Sequence, residues 1–257
     1  MPGLRFQQIW RDTVGAFRAG LRRGDVMLGV FVAYPERRLM DMYSAAGVSF
    51  VIIDMEHAPI TLSEADALCE TAVHAGLAPL VRAASEDKQA LLRCLDAGAA
   101  GIVIPDIRSA AEVREWVTAI SYPPTGMRGL AQVRVNDWNS SGTTDDARFR
   151  PMLVPMIESL EAIANADQLF AVDEVDWYHV GLVDLGMRLR GDASAPNIGD
   201  LLRELAAKAK AAGKPLGVNQ IVSPALSSPP AGVQCIAAPD RALILNGAKL
   251  FVRGEIG

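Results

Sequence analysis

Short continuous apolar runs recur along the chain at residues 26–32, 50–54, 78–82, 101–105, 153–157, 177–181, 216–219 and 233–237. Runs of this kind have the composition of strands buried on both faces, as in parallel sheets. Between them, apolar positions recur at helical spacing. Leu62, Ala65, Leu68, Ala72 and Ala75 fall on one helix face. Thr61 and Glu64 form a capping box that opens this helix, and Gly76 ends it. Residues 87–97, closed by Gly98, repeat the pattern, as does a segment opened by Ser109 and Glu112 whose apolar face is Val113, Trp116, Val117 and Ile120. Further helices are expected over residues 35–46, 159–170 and 199–212, in the amphipathic N-terminal segment 1–24, and after Asp240, which reads as a cap. The alternation breaks over residues 122–150, where Pro123, Pro124, Gly126, Gly129 and Gly142 make an irregular insertion. Loops of that length serve as lids or subunit contacts, or stay unstructured. Eight strands, each followed by helical or loop sequence, predict one α/β domain over residues 1–257, a closed (β/α)8 TIM barrel rather than an open doubly wound sheet.

Composition narrows the function. Half of the residues are hydrophobic and the formal net charge is -5, with Lys and Arg dispersed, so no basic stripe exists for a nucleic-acid backbone. The apolar runs fall well short of the ~20 residues of a membrane-spanning helix, and the N-terminus is not signal-like. A soluble, cytoplasmic protein with no nucleic-acid or membrane partner is expected. Cys69, Cys94 and Cys235 form no C-x-x-C pair and read as structural thiols. Neither a dinucleotide fingerprint nor a phosphate-binding P-loop occurs.

Barrel enzymes carry their chemistry at the C-terminal ends of the strands. The polar residues there are Asp54, Glu56 and His57 after the second strand, Arg82 after the third, Glu158 after the fifth and Asp184 after the sixth. Closure would bring Glu158 and Asp184 together, and two carboxylates with room for water and a chelating substrate suit a hard divalent ion such as Mg2+ or Mn2+. Taken singly, each carboxylate reads more simply as a helix cap. Beside His57 and Arg82, the pair reads as an ion site. Arg82 suits a carboxylate or a developing oxyanion, or else a salt bridge to a rim acid. His57 is placed to act as a base near neutral pH. His74 reads as structural, and His179 as a hydrogen-bonded core residue that could face the barrel interior. Lys88, Lys208, Lys210, Lys214 and Lys249 lie in helices or before a strand, so none suits a Schiff base and carbonyl chemistry would fall to the metal.

Several stretches carry a family resemblance: Ile53-Asp54-Met55-Glu56-His57-Ala58-Pro59, Val81-Arg82, Leu95-Asp96-Ala97-Gly98-Ala99, Tyr122-Pro123-Pro124-Thr125-Gly126-Met127-Arg128-Gly129, Ile157-Glu158 and Gly181-Leu182-Val183-Asp184-Leu185. In this order, over nearly the whole chain, they resemble the metal-dependent class II pyruvate aldolases of the HpcH/HpaI type, such as 4-hydroxy-2-oxoheptanedioate and 2-dehydro-3-deoxyglucarate aldolases. The resemblance implies Glu158 and Asp184 as ligands of a divalent ion, with Co2+ a further candidate beside Mg2+ and Mn2+. It implies His57 as the base, oriented by Asp96, and Arg82 on the keto or enolate oxygen. The backbone N–H groups of Val183 and Asp184 would take the pyruvate carboxylate. Asp54 and Glu56 are expected to shape the loop or hold ion-bound water, and Arg128 and Arg134 to be anion contacts or interface salt bridges. A C-terminal helix exchanged between subunits and a homohexamer are implied as well. Two departures stand out: Met156 replaces the family's Gln near the ion, and Leu182-Val183 and Gly186 replace Pro-Ala and Ser around Asp184.

The expected activity is reversible aldol cleavage of 4-hydroxy-2-oxo acids to pyruvate, or a close 2-oxo acid, and an aldehyde, through a metal-stabilised enolate. One alternative is a lyase on the same scaffold that acts on an acyl-CoA ester or decarboxylates oxaloacetate. Another is a binding protein that has lost turnover.

Overall fold

The apolar runs form eight parallel strands that pair in sequence order and close on themselves: β1 (Met27–Val32), β2 (Phe50–Asp54), β3 (Ala78–Arg82), β4 (Gly101–Ile104), β5 (Met152–Ile157), β6 (Tyr178–Val180), β7 (Leu216–Asn219) and β8 (Val233–Pro239), with β8 returning to β1. The computed structural model describes residues 6–83, 87–139, 150–190, 196–219 and 232–255. The helices are α1 (Phe6–Arg23), α2 (Arg38–Ala45), α3 (Leu62–His74), α4 (Lys88–Ala97), α5 (Ala110–Ile120), α6 (Leu160–Ala164), α7 (Ala166–Phe170), α8 (Leu182–Arg188), α9 (Ile198–Ala211) and α10 (Asp240–Val252). The fold is the expected (β/α)8 barrel.

Local chemistry sets the helix ends. The Thr61–Glu64 capping box is complete, and Asp87, Ser109 and Ser159 each accept a first-turn N–H. Gly98 ends α4 at φ +112, a left-handed position that disfavours any side chain. Three expectations are corrected. The helix over 159–170 is two short helices, α6 and α7, meeting at Asn165. The sixth strand ends at Val180, so Val183 and Asp184 lie in the first turn of α8. Asp240 is no cap: fully buried, it accepts the Ala33 and Tyr34 N–H groups at 2.8 and 3.1 Å and ties the end of β1 to α10. In the irregular insertion a 3-10 segment spans Arg134–Asn139, and residues 140–149 lie outside the described residues.

Two apolar layers hold the barrel. One lies between strands and outer helices; the other fills the interior with Phe31, Ile52, Leu80, Val154, Met156 and Trp177. Across the N-terminal mouth, α1 buries Trp10, Val14, Phe17 and Leu21 as one stripe. Trp10 Nε1 donates to Gly98 O at 2.9 Å, and Phe17 packs edge-on against Phe50 with centroids 5.5 Å apart. Each such side chain contributes about 1.5–3 kcal/mol when buried. Sealing this end leaves the C-terminal mouth for polar groups. The three cysteines are buried and unpaired. Among the described residues no helix is long and apolar enough to cross a membrane. By contrast with α1, α10 buries only Asp240 and leaves Leu243, Ile244, Leu245, Phe251 and Val252 exposed.

Candidate active site

The apolar run of β2 ends in Asp54, which is buried and clamps Arg82 of β3: Nε to Oδ1 at 3.0 Å and Nη2 to Oδ2 at 2.8 Å. Asp54 and Arg82 are register partners, so strand pairing itself sets the two-point contact. Burial alone would push the Asp54 carboxyl up, but the Arg82 hydrogen bond and charge outweigh it and hold it below the usual carboxylate range. Asp54 Oδ1 also accepts the Glu56 and His57 N–H groups at 3.2 Å each, which shapes the loop after β2. Glu56 Oε2 then lies 3.3 Å from Arg82 Nε and 3.7 Å from His57 Nε2. The Arg82 guanidinium sits 5.0 Å over the Phe31 ring, and among the described residues Nη1 meets only the weak acceptor Met156 Sδ, at 3.9 Å. Met156 therefore leaves this nitrogen available to a substrate oxygen.

Across the mouth, Glu158 follows β5 and is 4% exposed. It is not a cap, since Ser159 caps α6; its Oε2 accepts the Asp106 N–H at 2.9 Å. A Cβ at Gly181 would lie 2.3 Å from Oε1, so only glycine lets this carboxylate stand against the start of α8. Burial first, and Asp184 after it, bring the Glu158 carboxyl up to about 7, with the Asp106 hydrogen bond partly offsetting them. Glu56 is also raised, by burial first and then by Asp54 and Asp184, although Arg82 and His57 oppose this. Asp184 is half-buried in α8, which lacks a side-chain cap. Asp54, Glu56, Glu158 and Asp184 thus share one electrostatic neighbourhood in which, among the described residues, Arg82 is the buried cation.

Sequence reasoning passed over Asp106. It ends the β4 run as Asp54 ends β2, so the same strand-end rule would have found it. Its φ of +49 is uncommon for a residue with a side chain and aims its N–H at Glu158. Its carboxylate holds Arg188 at 2.9 Å and Arg108 at 2.7 Å. His179 faces the interior, as one reading allowed: fully buried, it pairs through Nε2 with Asn219 Oδ1 and packs edge-on against Phe31. Burial pulls its pKa down to about 4, so it is neutral at physiological pH.

Not every expected residue gathers here. Asp96 does not orient His57 within the subunit. It lies in the last turn of α4, at the end of the barrel away from the mouth, and its Oδ1 accepts Arg128 Nη2 at 2.7 Å. Arg128 is 6% exposed and stacks over Tyr122. Arg134 pairs with Asp66 and Glu70 and stacks over Phe6. Both arginines bind the insertion to the barrel wall, and the group facing His57 is Glu56.

Residues 27–229 match the family model described as HpcH/HpaI aldolase/citrate lyase. A hydroxypyruvate/pyruvate aldolase of Delftia acidovorans is 31% identical over 211 residues, covering 79% of this chain and 77% of that protein. One of the same name from Sagittula stellata is 29% identical over 244 residues, covering 93% and 96%. Among solved structures, an HpcH/HpaI aldolase/citrate lyase family protein from Burkholderia cenocepacia superposes with a TM-score of 0.83 at 23% identity, covering 93% of this chain and 98% of that one. At that identity the likeness speaks for the fold alone.

Proposed function

The chain belongs to the HpcH/HpaI aldolase/citrate lyase family, and from that premise we propose that it catalyses reversible aldol cleavage of 4-hydroxy-2-oxo acids to pyruvate, or a close 2-oxo acid, and an aldehyde. The observation that carries this reading is the crowding of four carboxylates around Arg82. Glu56 and Glu158 both have raised pKa values, from burial first and then from neighbouring carboxylates, and a cation bound beside them would offset that cost. A divalent cation is what such a donor set fits. Among the described residues no group of three or more His, Cys, Asp or Glu is placed to hold an ion by itself. Glu158 and Asp184 would therefore hold Mg2+ or Mn2+ from one side and leave the other to water and substrate oxygens. When bound, such an ion supplies a Lewis acid for the substrate's keto oxygen.

The chain's own groups do the rest. Arg82, fixed by Asp54, offers Nη1 to the keto oxygen as it gains negative charge. The uncapped N–H groups of Val183 and Asp184 receive the substrate carboxylate. His57, paired with Glu56, takes a proton from C3 of pyruvate, or in cleavage assists removal of the C4 hydroxyl proton. The exposed apolar face of α10 supports a homo-oligomer with an exchanged C-terminal helix; the hexamer is carried from the family resemblance and the cytoplasmic location from the sequence. In such an assembly, an Asp96–His57 contact is open only between two copies.

Coupled-assay measurement of pyruvate release from a panel of 4-hydroxy-2-oxo acids is expected to show turnover that EDTA abolishes and Mg2+ or Mn2+ restores. Ion-independent release, or none from any panel member, would overturn the proposal. Ion binding must also displace the Glu158 proton below its pKa of about 7. Mn2+ affinity is therefore expected to rise with pH up to about 7, at most about tenfold per unit, and then level off. In the ion-free protein the sign is opposite. A raised carboxyl pKa favours the fold in its protonated form, so this contribution is full below about pH 4.5 and lost as pH rises through about 7. Calorimetric titrations at about pH 6 and about pH 8 check the first statement, and equal affinities would contradict it.

A further inference from the structure

At the N-terminal end of the barrel, away from the mouth that holds Glu158, a cleft of about 580 Å3 opens between the last turn of α1, the end of α9 and the segments entering β5 to β8. Its walls carry Arg18, Arg22, Arg23, Arg150, Lys210 and Lys214 against two carboxylates, Asp173 and Asp176. In a chain of formal net charge -5 this is a local reversal of sign.

Asp173 and Asp176 do not satisfy all six cations, and Arg23 pairs instead with Asp25 at 2.6 Å. Asp176 Oδ1 is shared between Arg18 Nε at 3.0 Å and Arg150 Nη2 at 3.1 Å, while its Oδ2 takes the Leu153 N–H. The Lys214 ammonium donates to two carbonyl oxygens, of Val172 at 2.6 Å and Asp173 at 3.2 Å. Burial holds its pKa below the ordinary lysine value despite the acids nearby, and Arg150 pushes the same way. Arg22 and Lys210 are exposed and form no ion pair among the described residues. Basic residues in a last helical turn complement the helix end, which accounts for Arg22, Arg23 and Lys210 one at a time. It does not account for their convergence with Arg18, Arg150 and Lys214 on one concavity.

We propose that this cleft is a binding site for a small multivalent oxyanion, a phosphorylated or polycarboxylate metabolite, separate from the catalytic mouth. Guanidinium forks and ammonium groups on concave walls match the geometry of phosphoryl and carboxylate oxygens, and the concavity concentrates their field. The cleft is wide enough for a ligand of several charged groups, and its two uncommitted cations, Arg22 and Lys210, stand on different helices where one ligand could bridge them.

Calorimetric titration of the full-length, ion-free protein with pyrophosphate and, separately, citrate at fixed ionic strength tests this. Saturable binding of at least one is expected, and the tighter of the two identifies the phosphoryl or the polycarboxylate class. The R22Q/K210Q double variant, which alters only exposed side chains, is expected to weaken that binding about tenfold or more while keeping its melting temperature. Binding of neither anion, or equal affinity in the double variant, would overturn the proposal.

Discussion

Glu158→Gln is expected to lower pyruvate release about a thousandfold or more while leaving the protein at least as stable. Loss of a carboxylate that holds a catalytic ion removes several kcal/mol of transition-state stabilisation, and each 1.36 kcal/mol is about tenfold in rate. The amide is nearly the same size, and its oxygen can still accept the Asp106 N–H. Stability follows from the raised pKa of about 7: at alkaline pH the native protein carries a buried carboxylate that the unfolded chain would ionise at no cost. Removing that charge recovers a stability term on the order of 3 kcal/mol at most. Melting temperature, measured without added ion, and turnover, measured with Mg2+ or Mn2+, both near pH 8, should therefore move in opposite directions. A variant that is both less stable and inactive would point to a structural role for Glu158, and one that keeps its turnover would remove it from the ion site.

Arg82 is expected to fail differently. Arg82→Met leaves the Asp54 carboxylate buried without its partner, which costs about 3–5 kcal/mol. Turnover should fall about a hundredfold or more through loss of the donor to the keto oxygen. Pairing it with Asp54→Leu removes the stranded charge, so the double variant is expected to recover most of the stability and none of the activity. Denaturant unfolding across the double-mutant cycle, with turnover measured on each protein, separates the two roles. Recovery of activity together with stability would show that Arg82 is only a strut.

Much of this site is legible in the amino-acid sequence, and the reason is topological. β2 and β3 are continuous apolar runs with polar ends, so their boundaries and the rim positions of Asp54 and Arg82 follow from composition. Parallel closure then brings the ends of β5 and β6 across the mouth from them, with Glu158 after β5 and Asp184 at the start of α8. What escapes sequence reasoning depends on backbone geometry or on tertiary partners. The strand-end rule gives the place of Asp106 but not its role, which is to act through its N–H, in a left-handed conformation that non-glycine sequence does not announce. Asp240 resembles a cap by position and instead serves a strand end more than 200 residues away. His179 Nε2 pairs with Asn219 Oδ1 across neighbouring strands, and no local spacing signals that pairing. Asp96 does not meet His57 within one subunit, because the end of an outer helix lies at the opposite face of the barrel from the strand ends.

If this mouth makes an enolate from a 2-oxo acid, it must exchange the methyl protons of pyruvate with solvent, whatever the aldehyde. Proton NMR of pyruvate in D2O follows that exchange directly. Exchange is expected to require Mg2+ or Mn2+, to be lost in Glu158→Gln and to fall sharply in His57→Ala. Absence of exchange in the ion-loaded wild type, or undiminished exchange in Glu158→Gln, would contradict enolate formation at this site.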